Sequence, residues 1–227
     1  MRLLSVMFIL LLVAFQRQTE TPLLRIVEEP SFRVEGFKSG NTKEGNQFFE
    51  AVLENITDNY VSGGVSFSAY LPDGTKHYGC YAPGGGDPGE YFTVAPREKV
   101  RVQCHRSIVP VNIQLKVTMR LYGVRTFKPL PPSSRVTIAE QGVRLIEKGF
   151  EYDDYEAWAM LESKRWDSKV SYEFRLYDKD GIQVGEYRDP VETLVEPEVK
   201  RRVTWSTLIS RESKKPVSVK TIVRDAR

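Results

Sequence analysis

The chain has 227 residues, of which 41% are hydrophobic, 11% aromatic and 28% charged, with a formal net charge of +3. These proportions exclude long disordered tracts, collagen and a polytopic membrane protein. Eleven Tyr and eleven Phe favour β structure, two Cys exclude a disulfide-rich scaffold, and two His leave little material for catalysis.

The N-terminus opens with Arg2 and an apolar run over residues 3–15. As a helix this run spans about 20 Å, short of the roughly 30 Å hydrocarbon core. A charged start and a short apolar middle are the pattern of a secretory signal peptide. Ala14 supplies a small residue before a cut, although Leu12 is large where a small residue is usual. Residues 1–18 are therefore read as a signal peptide or N-terminal anchor. The protein is expected to be extracytoplasmic, periplasmic or secreted, with membrane contact only through this segment.

Residues 22–126 are read as a first β-sandwich domain. Asn55-Ile56-Thr57 fits the N-glycosylation acceptor pattern just past a strand end. Asp73-Gly74 supplies a hairpin turn, because Gly tolerates positive φ. Tyr78, Tyr81, Tyr91 and Phe92 form a candidate aromatic contact row. In an oxidising compartment Cys80 and Cys104 are expected to pair, closing a loop whose chain entropy corresponds to about 3–3.5 kcal/mol. Zinc is the rival, since His77, Cys80, Cys104 and His105 are ligand types it prefers. Strand neighbours point to opposite faces, so these four do not readily converge, and no metal site is assigned. Between the cysteines, Gly84, Gly85, Gly86 and Asp87 form a candidate binding loop. It lacks the Lys and helix of a phosphate cradle. Val111, Ile113, Leu115, Val117, Met119 and Leu121 alternate with polar residues, the signature of a half-buried strand.

Residues 127–134 contain three Pro and read as a stiff extended linker. Residues 135–227 then repeat the first domain. Ala51-Val52-Leu53-Glu54 matches Ala159-Met160-Leu161-Glu162. Phe32-Arg33-Val34 pairs with Val143-Arg144-Leu145, so residues 140–150 are read as an early strand. Val65-Ser66-Phe67-Ser68-Ala69-Tyr70 matches Tyr172-Glu173-Phe174-Arg175-Leu176-Tyr177, and Asp73-Gly74 matches Asp180-Gly181. Val94-Ala95-Pro96 matches Val195-Glu196-Pro197, with Val102 opposite Val203. Trp205 aligns with Cys104 and Tyr187 lies near the counterpart of Cys80, so an aromatic pair is expected to replace the bridge. The fold class is all-β: two tandem antiparallel immunoglobulin-like β-sandwich domains, each of about 90–105 residues.

Phe174-Arg175-Leu176-Tyr177-Asp178, followed by Lys179-Asp180-Gly181, resembles the FxLYD motif of a family of small bacterial immunoglobulin-like domains. The resemblance covers most of the second copy. The first copy has Phe67-Ser68-Ala69-Tyr70-Leu71 instead. The resemblance implies an exported or surface-anchored β-sandwich and carries over no catalytic residues.

Charge divides the second copy. Residues 140–199 hold 16 acidic and 8 basic side chains, and residues 200–227 hold 9 basic and 2 acidic. Lys200, Arg201, Arg202, Lys214 and Lys215 form a candidate basic patch for an acidic polymer or lipid headgroup. The simpler reading, which we favour, pairs them with acidic neighbours in one sheet. The acidic run at residues 151–156 is read as a solvated loop rather than a calcium site. No nucleophile elbow, phosphate loop or aromatic-interleaved basic groove is present, so no enzyme activity, cofactor or nucleic-acid partner is expected. The sequence points to a non-catalytic binding or scaffolding protein of the cell envelope. Protein partners in the envelope are expected, with polysaccharide as a further partner class. The alternatives are a structural subunit that assembles through edge strands and a polymer-binding accessory module of a hydrolase system.

Overall fold

The computed structural model describes residues 23–27, 29–41, 47–82, 91–106, 115–128, 130–150, 152–164, 168–188, 192–211 and 213–226. The expected signal segment, the loop carrying Gly84, Gly85, Gly86 and Asp87, and the alternating positions Val111 and Ile113 lie outside the described residues. The described residues form an all-β structure of fifteen strands without a helix.

The first half holds β1 (Leu23–Val27), β2 (Phe32–Asn41), β3 (Gln47–Asn55), β4 (Tyr60–Tyr70), β5 (Lys76–Ala82), β6 (Phe92–Val94), β7 (Lys99–Arg106) and β8 (Lys116–Phe127). Strand β3 lies between β2 and β7 in an antiparallel sheet. Facing it, β4 pairs antiparallel with β5, β6 and β8, and β1 adds parallel to β8. The second half holds β9 (Val136–Lys148), β10 (Tyr152–Ser163), β11 (Ser168–Tyr177), β12 (Gln183–Arg188), β13 (Thr193–Val195), β14 (Arg201–Ser210) and β15 (Ser218–Asp225). Here β10 lies between β9 and β14, and β11 pairs with β12, β13 and β15. Every pairing in the first half except that of β1 thus has a counterpart in the second. Residues 140–150, read from the repeat as an early strand, fall largely within β9.

Period-two patterning places the apolar residues between the sheets. Phe49, Ala51 and Leu53 of β3 and Val65, Phe67 and Ala69 of β4 are buried together with Val117 and Met119 of β8. A second cluster joins Ala157, Ala159 and Leu161 of β10 to Val170, Phe174 and Leu176 of β11, Val203 and Val223. The turns repeat as well. Gly74 and Gly181, each after an Asp, have φ of 88° and 74°. Arg97 and Glu198, each directly after a Pro, have φ of 61° and 62°, a conformation that non-glycine residues rarely adopt.

Cys80 of β5 and Cys104 of β7 form a disulfide across the two sheets, with Cα atoms 6.2 Å apart and both residues buried. The cysteine sulfurs are therefore not free as metal ligands. At the equivalent place in the second half, Tyr187 of β12 stacks on Trp205 of β14, with centroids 5.3 Å apart and planes 14° from parallel. One half thus joins its sheets by a covalent bond and the other by stacked rings.

Asn55 is fully buried. Its amide nitrogen donates to the carbonyls of Asn59, Val94 and Ala95, and its Oδ1 accepts from the backbone N–H and the hydroxyl of Thr57. The Asn55-Ile56-Thr57 triplet is thus a turn lock rather than an exposed glycan acceptor, because a glycan would replace these bonds and need space the fold fills.

Residues at the end of the Pro-containing connection are tied to β15. Ser133 N–H donates to the Val223 carbonyl at 2.7 Å, and Arg224 Nε donates to the Leu130 carbonyl at 3.3 Å.

The disulfide yields the first prediction. Cys80 and Cys104 are 24 positions apart, so removing the bridge by Cys80→Ala with Cys104→Ala should cost about 3.5 kcal/mol on chain entropy. Urea denaturation of the oxidised and variant proteins measures this. A loss below about 1 kcal/mol, the size of an ordinary substitution, would contradict it.

Candidate binding cleft at the junction of the two halves

The motif strand β11 is buried on both faces from Tyr172 to Leu176. Phe174 and Leu176 point into the second core. Glu173, Arg175 and Tyr177 occupy the opposite face of the strand. Asp178 ends that strand. Its Oδ1 accepts the backbone N–H groups of Asp180 at 2.9 Å and Ile182 at 3.0 Å, which fixes the hairpin turn. Its Oδ2 accepts from Nε and Nη2 of Arg101 in β7, at 3.3 and 3.1 Å.

Arg101 also donates through Nη1 to Glu50 of β3, and Gln103 donates to the same carboxylate. The side chains of Arg101, Glu50 and Asp178 are only 6%, 9% and 1% exposed. One guanidinium is therefore held between two carboxylates from different halves. Each ion loses several kcal/mol of hydration on such burial, and that loss is offset only while every partner is present. Nearby, Arg175 is completely buried and donates to Glu173, with its guanidinium carbon 4.9 Å from the centre of the Tyr60 ring. Glu98 accepts from the Tyr177 hydroxyl at 3.0 Å and from Lys220 at 3.1 Å. Burial, then the Glu98 carboxylate, pushes the Tyr177 phenol well above its ordinary range.

The two halves also share a sheet. Gln183 of β12 lies in parallel register with Val100 of β7, which joins β13-β11-β12 to β7-β3-β2. Gln183 is buried and donates to the Thr93 carbonyl at 3.1 Å. Glu186 accepts the Thr93 N–H at 2.6 Å. Both backbone polar groups of Thr93 are thus taken by the second half.

Beside this junction is a cleft of about 420 Å³. Ser62, Tyr91, Thr93, Gly123 and Arg125 line it from the first half, and Glu186 and Arg188 from the second. Tyr91, just ahead of β6, is 51% exposed. Its ring lies against Gly123, where an added Cβ would come within 2.5 Å of the ring and where φ is 59°. Only glycine meets both demands at that position. Tyr122 braces the Tyr91 ring edge-on at 5.8 Å, and Tyr81 contacts Tyr122 at 5.9 Å.

Glu186 forms the acidic part of the cleft, with its side chain 12% exposed. It accepts from Arg188 Nε at 3.0 Å and from Gln183 at 3.3 Å in addition to Thr93. Burial raises its pKa first of all. Arg188 opposes that shift, and the nearby Glu173 carboxylate adds to it.

The candidate aromatic row divides in two. Tyr81 and Tyr91 are exposed, but Tyr78 and Phe92 are core residues at 7% and 2% exposure. Tyr78 stacks on Phe49 at 5.4 Å, and Phe92 meets Phe32 edge-on at 5.7 Å. Strand alternation puts Tyr78 and Cys80 inside and Tyr81 outside, while the short β6 is buried at all three positions. Tyr78 and Phe92 are thus corrected from contact residues to packing residues. The basic residues follow the pairing we favoured. Lys200 meets Glu162 at 3.1 Å, Arg202 meets Glu156 at 2.7 Å and Lys215 meets Asp153 at 3.0 Å. Arg202 also lies over Trp158 at 5.4 Å. Arg201 and Lys214 make no salt bridge among the described residues.

Arg101, Asp178, Arg175 and Glu186 did not emerge from the sequence as site residues. Their alternation with apolar residues resembles a solvated strand face, and the visible hint was an Arg and a Glu flanking Phe174 inside the motif.

No family model matches the chain, and no curated protein matches it. Among solved structures it is similar to a putative beta-galactosidase from Bacteroides fragilis, at 14% identity and a TM-score of 0.28, covering 76% of this chain and 28% of that one. It is similar to the transglutaminase of red sea bream at 10% identity and a TM-score of 0.28, covering 86% and 31%. The tandem CBM22-1-CBM22-2 domain of Paenibacillus barcinonensis Xyn10C gives 10% identity and a TM-score of 0.21, covering 88% and 87%. The chain spans less than a third of the length of the first two.

Two predictions follow from the junction. Arg101→Ala leaves Glu50 and Asp178 buried without their cation and should cost about 3–5 kcal/mol in urea denaturation. A cost under about 1 kcal/mol would contradict the clasp. The second concerns Glu186, whose folded pKa lies above the ordinary 4.5. Between those two values the folded state holds more protons than the unfolded chain. The stability contributed by the neutral acid is therefore full at low pH and is lost as pH rises through the folded pKa. Measured against Glu186→Gln, wild-type stability should decline as pH rises above 4.5. A pH-independent difference between the two would contradict it.

Proposed function

We propose that this protein is an exported, non-catalytic binding module that holds a polysaccharide in the cleft between its two halves. One observation carries the reading: Tyr91 is half exposed yet fixed in place, with the hydroxyl end of its ring packed on Gly123 and a T-shaped contact with Tyr122. A ring held in this way offers its open face to the apolar side of a sugar at little entropic cost. Around it, Ser62, Arg125 and Arg188 supply polar groups for hydroxyls. Export is supported by the disulfide, which persists in oxidising compartments. The second half is read as an FxLYD-type immunoglobulin-like domain, with Asp178 closing the turn after the motif strand. A non-catalytic role is supported by Glu186, whose oxygens are already occupied by Thr93, Gln183 and Arg188.

A second reading, a scaffold that docks on an envelope protein, is favoured by the far end of the β14-β10-β9 sheet. There Ile146, Phe150, Tyr152 and Leu208 are 48%, 85%, 48% and 66% exposed.

Affinity electrophoresis through gels cast with soluble plant and bacterial polysaccharides distinguishes the two. Tyr91→Ala should weaken retardation by a factor of roughly thirty, the effect of truncating an aromatic anchor worth about 2 kcal/mol. Retardation unchanged by Tyr91→Ala, together with loss of envelope-protein capture in Phe150→Ser, would overturn the polysaccharide reading in favour of the scaffold.

A further inference from the structure

The cleft carries an excess of hydrogen-bond donors, and the identity of those donors narrows the ligand. Glu186 is its acidic side chain, and its two oxygens already accept from Thr93, Gln183 and Arg188. Its charge is further offset by Arg175, which sits directly opposite it in the β11–β12 register. The carboxylate is thus consumed by the junction.

The two arginines are differently placed. Arg188 reaches both Glu186 at 3.0 Å and Glu173 at 3.4 Å through Nε. Its two terminal amino groups make no bond among the described residues. Arg125, opposite Ser62 in the β4–β8 register, is exposed and has no ion pair among the described residues. The cleft lining therefore holds two guanidinium groups with open donor pairs and one carboxylate already in use. Guanidinium forks match carboxylate and sulfate geometry in a bidentate manner, which a hydroxyl cannot reciprocate.

We infer that the cleft selects an anionic saccharide, a chain of carboxylate-bearing sugars, with the ring stacked on Tyr91 and the carboxylate bound by Arg125 and Arg188. This rests on the polysaccharide reading above and adds to it the charge class of the ligand. The aromatic platform sets where the sugar lies, and the two forks set which sugar is retained. A neutral chain of the same shape would keep the stacking and lose the charge-assisted bonds. Both arginines are open to water, so the discrimination rests on the charge-assisted bonds that only an anion supplies.

The test uses the full chain and two probes with one backbone, polygalacturonate and its fully methyl-esterified form. Wild-type protein should be retarded by polygalacturonate at least ten-fold more strongly than by the ester. Arg125→Gln should remove most of that preference, weakening binding to polygalacturonate far more than binding to the ester. Arg201→Gln, an equal charge change on exposed β14, should leave both unchanged. Equal affinity for the two probes, lost in Tyr91→Ala, would overturn the anionic selection while the polysaccharide reading stands. Equal weakening by Arg125→Gln and Arg201→Gln would overturn it as well, since the attraction would then be diffuse. Absence of any Tyr91-dependent binding to either probe would overturn the polysaccharide reading itself, and the selection with it. Arg125 is exposed, so its variant should unfold at the wild-type urea midpoint, which separates lost binding from lost fold.

Discussion

The structure depends on a guanidinium buried almost completely between two carboxylates. Arg101 lies between Glu50 of its own half and Asp178 of the other, and all three side chains are almost wholly buried. Charges placed in this way do not tolerate partial separation. If the halves moved apart by a few ångströms, Arg101 and Asp178 would lose each other before water could replace the lost bonds. The same holds for Arg175, completely buried over Tyr60, whereas the Glu98–Lys220 pair at the rim is open to water. A buried ion network is weak evidence for overall stability, since apolar residues of similar volume often serve as well. Its effect here is on geometry, because each bond has a direction and a fixed partner.

That geometry creates the cleft. Tyr91, Ser62, Gly123 and Arg125 come from one half, and Glu186 and Arg188 come from the other. Neither set would form a binding surface alone. Thr93 links the two, since its N–H and carbonyl are bonded to Glu186 and Gln183. The motif strand β11 therefore has two roles. Its Phe174 and Leu176 pack the second core, and its Arg175 and Tyr177 complete the contact with the first half. The two halves share a pairing scheme but differ in how each joins its sheets, by Cys80–Cys104 in one and Tyr187–Trp205 in the other.

The strand pattern was legible because a half-buried strand writes its two faces into alternate residues. Strands β8 and β11 could be read this way; β4 and β10 followed from the repeat, the Asp-Gly turns from glycine's freedom at positive φ, and the cysteine pair from the expected oxidising compartment. The stacked Tyr187 and Trp205 followed from aligning one half with the other. What could not be read was burial by a neighbouring half. Glu173 and Arg175 alternate with Phe174 as solvated residues would, and only the packing of a second sheet against them makes them internal. Tyr78 and Phe92 misled for the opposite reason, since an aromatic near exposed tyrosines can still point inward. Asn55 fits an acceptor triplet by composition, yet its amide is consumed by three carbonyls.

The claim on which the rest stands is that the two halves form one frame. Residual dipolar couplings for backbone N–H groups of β3, β4 and β8 and of β10, β11 and β15 measure this directly. One alignment tensor, with the same magnitude and orientation for both sets, is the result this account predicts. Two tensors of different magnitude would mean that the halves reorient independently, and a cleft built from both could not then hold a fixed ligand geometry.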